Sequence, residues 1–100
     1  MKIPEKGYYY HYKHTEDSIN NYAYEVLGVA VHTEEKKHLV VYRPLYKNTF
    51  FEGEDFCARP LDMFMGDVLK DRKTFSRFVK ITDPKTIEEL GKIKEDMYKN

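Results

Sequence analysis

Apolar residues fall in short runs along this chain, broken by clusters of charge, proline and glycine. After a polar lead-in at residues 2–7, residues 8–12 read Tyr-Tyr-Tyr-His-Tyr, a run with high strand propensity. Strand alternation sends Tyr9 and His11 to one side and Tyr8, Tyr10 and Tyr12 to the other. Residues 14–21 gather Asp17, Ser18, Asn20 and Asn21 and predict a loop. Residues 22–32 give the clearest strand. Its centre, Val26-Leu27-Gly28-Val29-Ala30-Val31, is apolar on both parities, which fits burial on both faces or a bent barrel strand. Gly28 inside it marks a bulge or a sharp bend. The charged run Thr33-Glu34-Glu35-Lys36-Lys37 predicts a hairpin tip, and residues 38–46 the return strand. On that strand Leu39, Val41 and Leu45 take one parity, and Val40, Tyr42 and Tyr46 the other. Pro44 donates no ladder hydrogen bond, so the strand bends or lies at an edge there.

Residues 47–55 read as a loop around Gly53, or as a hairpin flanked by Phe50-Phe51 and Phe56. A short strand at 56–59 stops at Pro60. Leu61-Asp62-Met63-Phe64-Met65 predicts one helical turn ended by Gly66. Residues 71–74 are polar, and 75–81 form the last strand. The end of the chain changes period. Asp83 and Pro84 make a helix start, and Ile87, Leu90, Ile93 and Met97 recur at helical spacing over residues 84–98. Glu88–Lys92 and Glu95–Lys99 add i,i+4 support. That apolar stripe must dock on the barrel, on a partner or on a second copy. The expected fold is mainly β: a small SH3-like antiparallel β-barrel over residues 1–82 with a C-terminal amphipathic helix over 83–100.

The residues in these strands resemble a known family. Gly7-x-Tyr9-x-His11-Tyr12-Lys13, then Tyr24-Glu25-Val26-Leu27-Gly28-Val29-Ala30-x-His32-Thr33-Glu34 stand in its order. Leu39-Val40-Val41-Tyr42-Arg43-x-Leu45-Tyr46, Arg59-Pro60-Leu61-x-Met63-Phe64 and Arg77-Phe78 follow. Together they resemble the domain of unknown function 1653 family across residues 7–81. The resemblance implies an SH3-like barrel and no established activity. Tyr10 and Val31 stand where that family usually carries Arg, and the helix after Pro84 lies outside the match.

Composition narrows the functional classes. The chain has 100 residues, a formal charge of zero, 15% aromatics and a single cysteine. This is one domain's length, too aromatic for disorder, and one cysteine forms no intrachain disulfide. No long apolar run suits a membrane span, and residues 1–6 lack the apolar core of a signal peptide, so a cytoplasmic setting is expected. There is no Gly-rich phosphate loop, no Gly-x-Ser-x-Gly elbow and no zinc-ligand spacing, so neither a cofactor nor a metal is implied. His11 and His14 fall on opposite sides of a strand, whereas His32 and His38 could face each other across the hairpin. Cys57 shares strand parity with Arg59, whose charge lowers a thiol's pKa; the alternative is a small buried hydrophobe.

Arginine is the informative residue. The chain has 13 Lys and 4 Arg by count, and Arg43, Arg59 and Arg77 lie within predicted strands beside apolar or aromatic residues. Arg presents a planar fork to carboxylate or phosphate and stacks on rings. The structural alternative is internal pairing with Glu25, Asp62 or Glu52. The expected site is a concave face lined by His11, Tyr12, Tyr42, Arg43, Tyr46, Arg59 and Arg77. Its expected ligand is a peptide or protein segment ahead of single-stranded nucleic acid, because zero net charge gives weak counterion-release affinity. Two other classes stand beside this one: a small enzyme with His11 as base and an arginine anion clamp, and a homo-oligomer joined through residues 84–98.

Overall fold

Val, Tyr and Ala dominate the two longest extended segments, and their alternation across the pleat covers both faces of one curled sheet. The computed structural model describes residues 2–47 and 56–99. Its elements are β1 (Gly7–His11), β2 (Ala23–His32), β3 (Lys37–Pro44), β4 (Cys57–Pro60), α1 (Leu61–Met65), β5 (Asp67–Lys70), β6 (Lys73–Ser76), β7 (Phe78–Lys80) and α2 (Pro84–Met97). The main sheet runs β4-β3-β2-β1-β7, every neighbouring pair antiparallel, and β5-β6 forms a separate two-stranded ribbon. The expectation of a mainly β fold with a C-terminal helix holds, and the sheet curls as a half-barrel.

The curl has a local cause. The β2–β3 register shifts between Val26 and Gly28, so Leu27 is the extra residue of a bulge, and Gly28 takes φ +159°. Bulges increase strand twist and bend, and glycine accepts that backbone without a Cβ penalty. Beyond the bulge the strand runs out to solvent, where Val31 is exposed. This is where the doubly apolar pattern of residues 26–31 stops meaning burial.

Two apolar layers sandwich the sheet. On the concave side Tyr9, Tyr24, Val26, Val40, Tyr42 and Phe78 surround Phe64 of α1. The Phe64 and Phe78 rings stack at 4.2 Å. On the convex side Ala23, Leu45 and Ile81 bury Leu90 of α2, with Tyr8, Tyr10, Ile87 and Ile93 packed around them. The tyrosine run of β1 is thus divided between two covered faces. The Tyr9 hydroxyl donates to the Glu5 carbonyl at 2.8 Å and the Tyr10 hydroxyl to the Ile19 carbonyl at 2.5 Å.

The apolar stripe of α2 docks on the chain's own sheet. Asp83 caps the helix by accepting from the Thr86 N–H at 3.0 Å and hydroxyl at 2.7 Å, and these bonds hold its carboxyl below the usual range. At the other end Tyr98 donates its hydroxyl to the Pro44 carbonyl at 2.5 Å. Glu25 of β2 accepts from Arg43 Nε at 2.9 Å and from Lys94 Nζ at 3.0 Å, tying sheet to helix. Among the described residues no helix is long and apolar enough to cross a membrane.

Three segments differ from expectation. The return strand ends at Pro44, although Leu45 still donates its N–H to the Ala23 carbonyl of β2 at 2.8 Å. The expected last strand, 75–81, is two strands, β6 and β7, broken at Arg77, whose N–H donates to the Gly66 carbonyl at 3.0 Å. The β5–β6 hairpin has no Gly or Asn at its turn; Asp71 and Arg72 take φ +53° and +64° instead. The loop or hairpin expected around Gly53 lies outside the described residues.

Candidate functional site

Strand alternation carries the site. His11 follows Tyr9 on the concave side of β1, at the end where core packing gives way to solvent. Its ring meets Phe78 edge-on at 5.1 Å, lies near-parallel to Tyr22 at 5.7 Å and touches Tyr12 at 4.5 Å. Nδ1 accepts from the Lys13 N–H at 3.2 Å, so the neutral ring carries its proton on Nε2. Partial burial, and then the charges of Arg59, Lys13 and Arg77, lower its pKa to about 4.

Arg59 reaches inward from edge strand β4 to the opposite edge of the half-barrel. Its guanidinium lies 5.4 Å from the centre of the Phe78 ring on β7, and Nε donates to the Tyr42 hydroxyl at 3.4 Å. Arg77, at the β6–β7 break, donates Nε to the Met63 carbonyl at 3.0 Å and accepts the Tyr12 N–H at 2.9 Å. Tyr46 shares a 2.5 Å hydroxyl–hydroxyl bond with Tyr24, and its ring lies 5.7 Å from Tyr22. Burial and that bond push the Tyr24 hydroxyl's pKa up, so it stays protonated.

His11, Tyr12, Tyr42, Tyr46, Arg59 and Arg77 therefore gather at one end of the concave face. Arg43 does not. It follows Tyr42 by one residue, so the pleat turns it to the convex side, where it pairs with Glu25 and lies 4.1 Å from the Tyr98 ring centre. A groove of about 590 Å³ opens there among Arg43, Lys94 and Tyr98, but Glu25 already engages both cations. Arg43 is a structural pair holding α2, as the internal-pairing alternative describes.

Three further residues belong to the concave site. Tyr24 and Phe78 form its floor. Tyr22 holds φ +52°, a backbone state uncommon for an aromatic residue, and stands partly exposed between His11 and Tyr46. The Asn20-Asn21-Tyr22 turn was the only sequence signal for it.

The other histidines stay apart. His14 stacks on Tyr10 at 3.6 Å, away from His11. His32 pairs with Lys37 and His38 with Val31, so the two project to opposite faces and do not meet across the hairpin. Among the described residues no group of three His, Cys, Asp or Glu could hold a metal ion. Cys57 is half-buried and packs against the concave core.

A family model described as protein of unknown function (DUF1653) matches residues 7–80. The chain belongs to this family. It is also similar to the crystal structure of a protein belonging to DUF1653 from Bordetella bronchiseptica, with 28% identity and a TM-score of 0.61. That likeness covers 80% of this chain and 92% of the other. No curated protein matches the chain. The concave site, from His11 to Phe78, falls wholly inside the DUF1653 match, whereas α2 lies beyond its end at Lys80. The DUF1653 region thus holds the candidate site, and α2 covers the opposite face.

Proposed function

We propose that this protein is a non-catalytic binding module whose concave face receives an acidic segment of a partner protein. Arg59 and Arg77 take its carboxylates, and His11, Tyr12, Tyr22 and Tyr46 supply ring surface beside them. Tyr42 holds Arg59 in place from below. One observation carries the reading: among the described residues neither Arg59 nor Arg77 pairs with a carboxylate, while Arg43 on the far side does. Two guanidinium groups without a counter-ion, Arg59 over the Phe78 ring and Arg77 on the Met63 carbonyl, favour an anion from outside.

His11 serves as a ring and an Nε2–H donor. A base with a pKa near 4 whose Nδ1 is already bonded is weakly suited to proton abstraction at neutral pH. A partner copy through residues 84–98 is disfavoured because Leu90 is fully buried against the chain's own sheet. Titration of the full chain with a decaglutamate peptide tests the reading. Arg59→Gln and Arg77→Gln should each weaken binding about tenfold, as expected for a charge-assisted hydrogen bond. Unchanged affinity in both folded variants would overturn it.

A further inference from the structure

The concave site does not end at its rings. Tyr12 belongs to two places at once. Its ring touches His11 and its N–H binds the Arg77 carbonyl, yet it also lines a groove of about 300 Å³ with Lys70, Asp71, Lys73 and Phe75. The groove therefore joins the concave site through Tyr12. Its other wall is the β5–β6 hairpin, which stands off the main sheet as a ribbon of its own.

The hairpin is built unlike a structural filler. Leu69 is 75% exposed and Phe75 42% exposed, both large and apolar. Lys70, Arg72 and Lys73 crowd its tip. Among the described residues none of these three forms an ion pair, nor do Lys13, Arg59 and Arg77 around the concave site. The turn keeps Arg72 in a left-handed state that glycine would adopt without strain. A chain with zero net charge thus concentrates unpaired cations at one end, beside the exposed Phe75 ring.

Resting on the concave face as an acidic-segment site, we infer that the β5–β6 hairpin is its second arm: the same extended acidic segment continues from Arg59 and Arg77 into the Tyr12–Phe75 groove, where Lys70 and Lys73 take further carboxylates. An extended segment advances about 3.3 Å per residue with alternate side chains on one side. Alternate acids then meet Lys70 and Lys73, which share one face of the hairpin with Phe75. The zero net charge works against a nucleic-acid backbone, whose affinity rests on dense cation contacts.

The test is titration of the full chain with decaglutamate, followed by backbone amide resonances. Lys70→Ala with Lys73→Ala should weaken binding about fivefold, the scale of exposed charge pairs, with shifts at Tyr12 and Phe75 lost. Lys70→Glu with Lys73→Glu should weaken it further, and Lys92→Ala on the convex side should change nothing. These exposed positions leave the core intact, and native spectra check that. Full affinity in the double variants, with Arg59→Gln still damaging, overturns the second arm and leaves the concave site standing. No binding of decaglutamate, or silence of both arginine variants, overturns both. Tighter binding of decauridylate than of decaglutamate overturns the protein-segment assignment.

Discussion

Acidification should destabilise this protein through His11 in a defined window. The unfolded ring takes up a proton near pH 6.5, whereas the folded ring stays neutral until about 4. Between those values the unfolded state binds more protons, so stability rises with pH across the window. The contribution is complete above pH 6.5 and is lost as the pH falls toward 4. A shift of this size corresponds to about 3 kcal/mol at most. The ring is only half-buried, and solvent screening brings the expected loss to about 1–2 kcal/mol. Urea unfolding at pH 7, 5.5 and 4 should show this loss in the native chain, and His11→Gln should remove that part of the slope. The His11 ring resonances should titrate near 4. Arg59→Gln should move that midpoint only part of the way toward 6.5, because burial outweighs the arginine's charge. A midpoint near 6.5 in the native chain, or an identical pH slope in His11→Gln, would refute the account of this site.

Two more perturbations probe the opposite face. Leu90→Ala removes a fully buried side chain from the α2–sheet layer and should cost about 2–5 kcal/mol in urea unfolding, with little change if the helix docks elsewhere. Glu25→Gln leaves Arg43 and Lys94 facing each other without a carboxylate. It should cost about 1–3 kcal/mol and broaden the amide resonances of α2, while leaving decaglutamate affinity at the concave face unchanged.

The element order was largely legible because strands and helices impose different periods on the sequence. Residues 22–32, the tip at 33–37 and the helix from Pro84 follow directly from alternation, charge and capping. The β5–β6 hairpin escaped because its turn achieves left-handed geometry with Asp71 and Arg72 rather than with the glycine or asparagine that usually signals it. Of the site residues named from sequence, all but Arg43 gather on one face, and Tyr22 joins them unannounced. Arg43, Arg59 and Arg77 look alike in sequence, each beside aromatic or apolar neighbours. Parity alone already separates Arg43 from Tyr42. Which of those two faces is concave depends on the direction of the sheet's curl.

By itself the sequence determined most of the secondary structure, the tyrosine-rich and arginine-poor chemistry, and the amphipathic helix that needed a docking surface. These are local properties, set by propensity, period and capping within a few residues. Tertiary structure decided three other things. It placed α2 on the chain's own convex face, spending Arg43 and Lys94 on Glu25. It brought Arg59 and Phe78 from opposite edges of the half-barrel into contact. It turned Tyr22 out beside His11. The second depends on how far the sheet bends, and bending brings together residues whose separation along the chain carries no trace of their meeting.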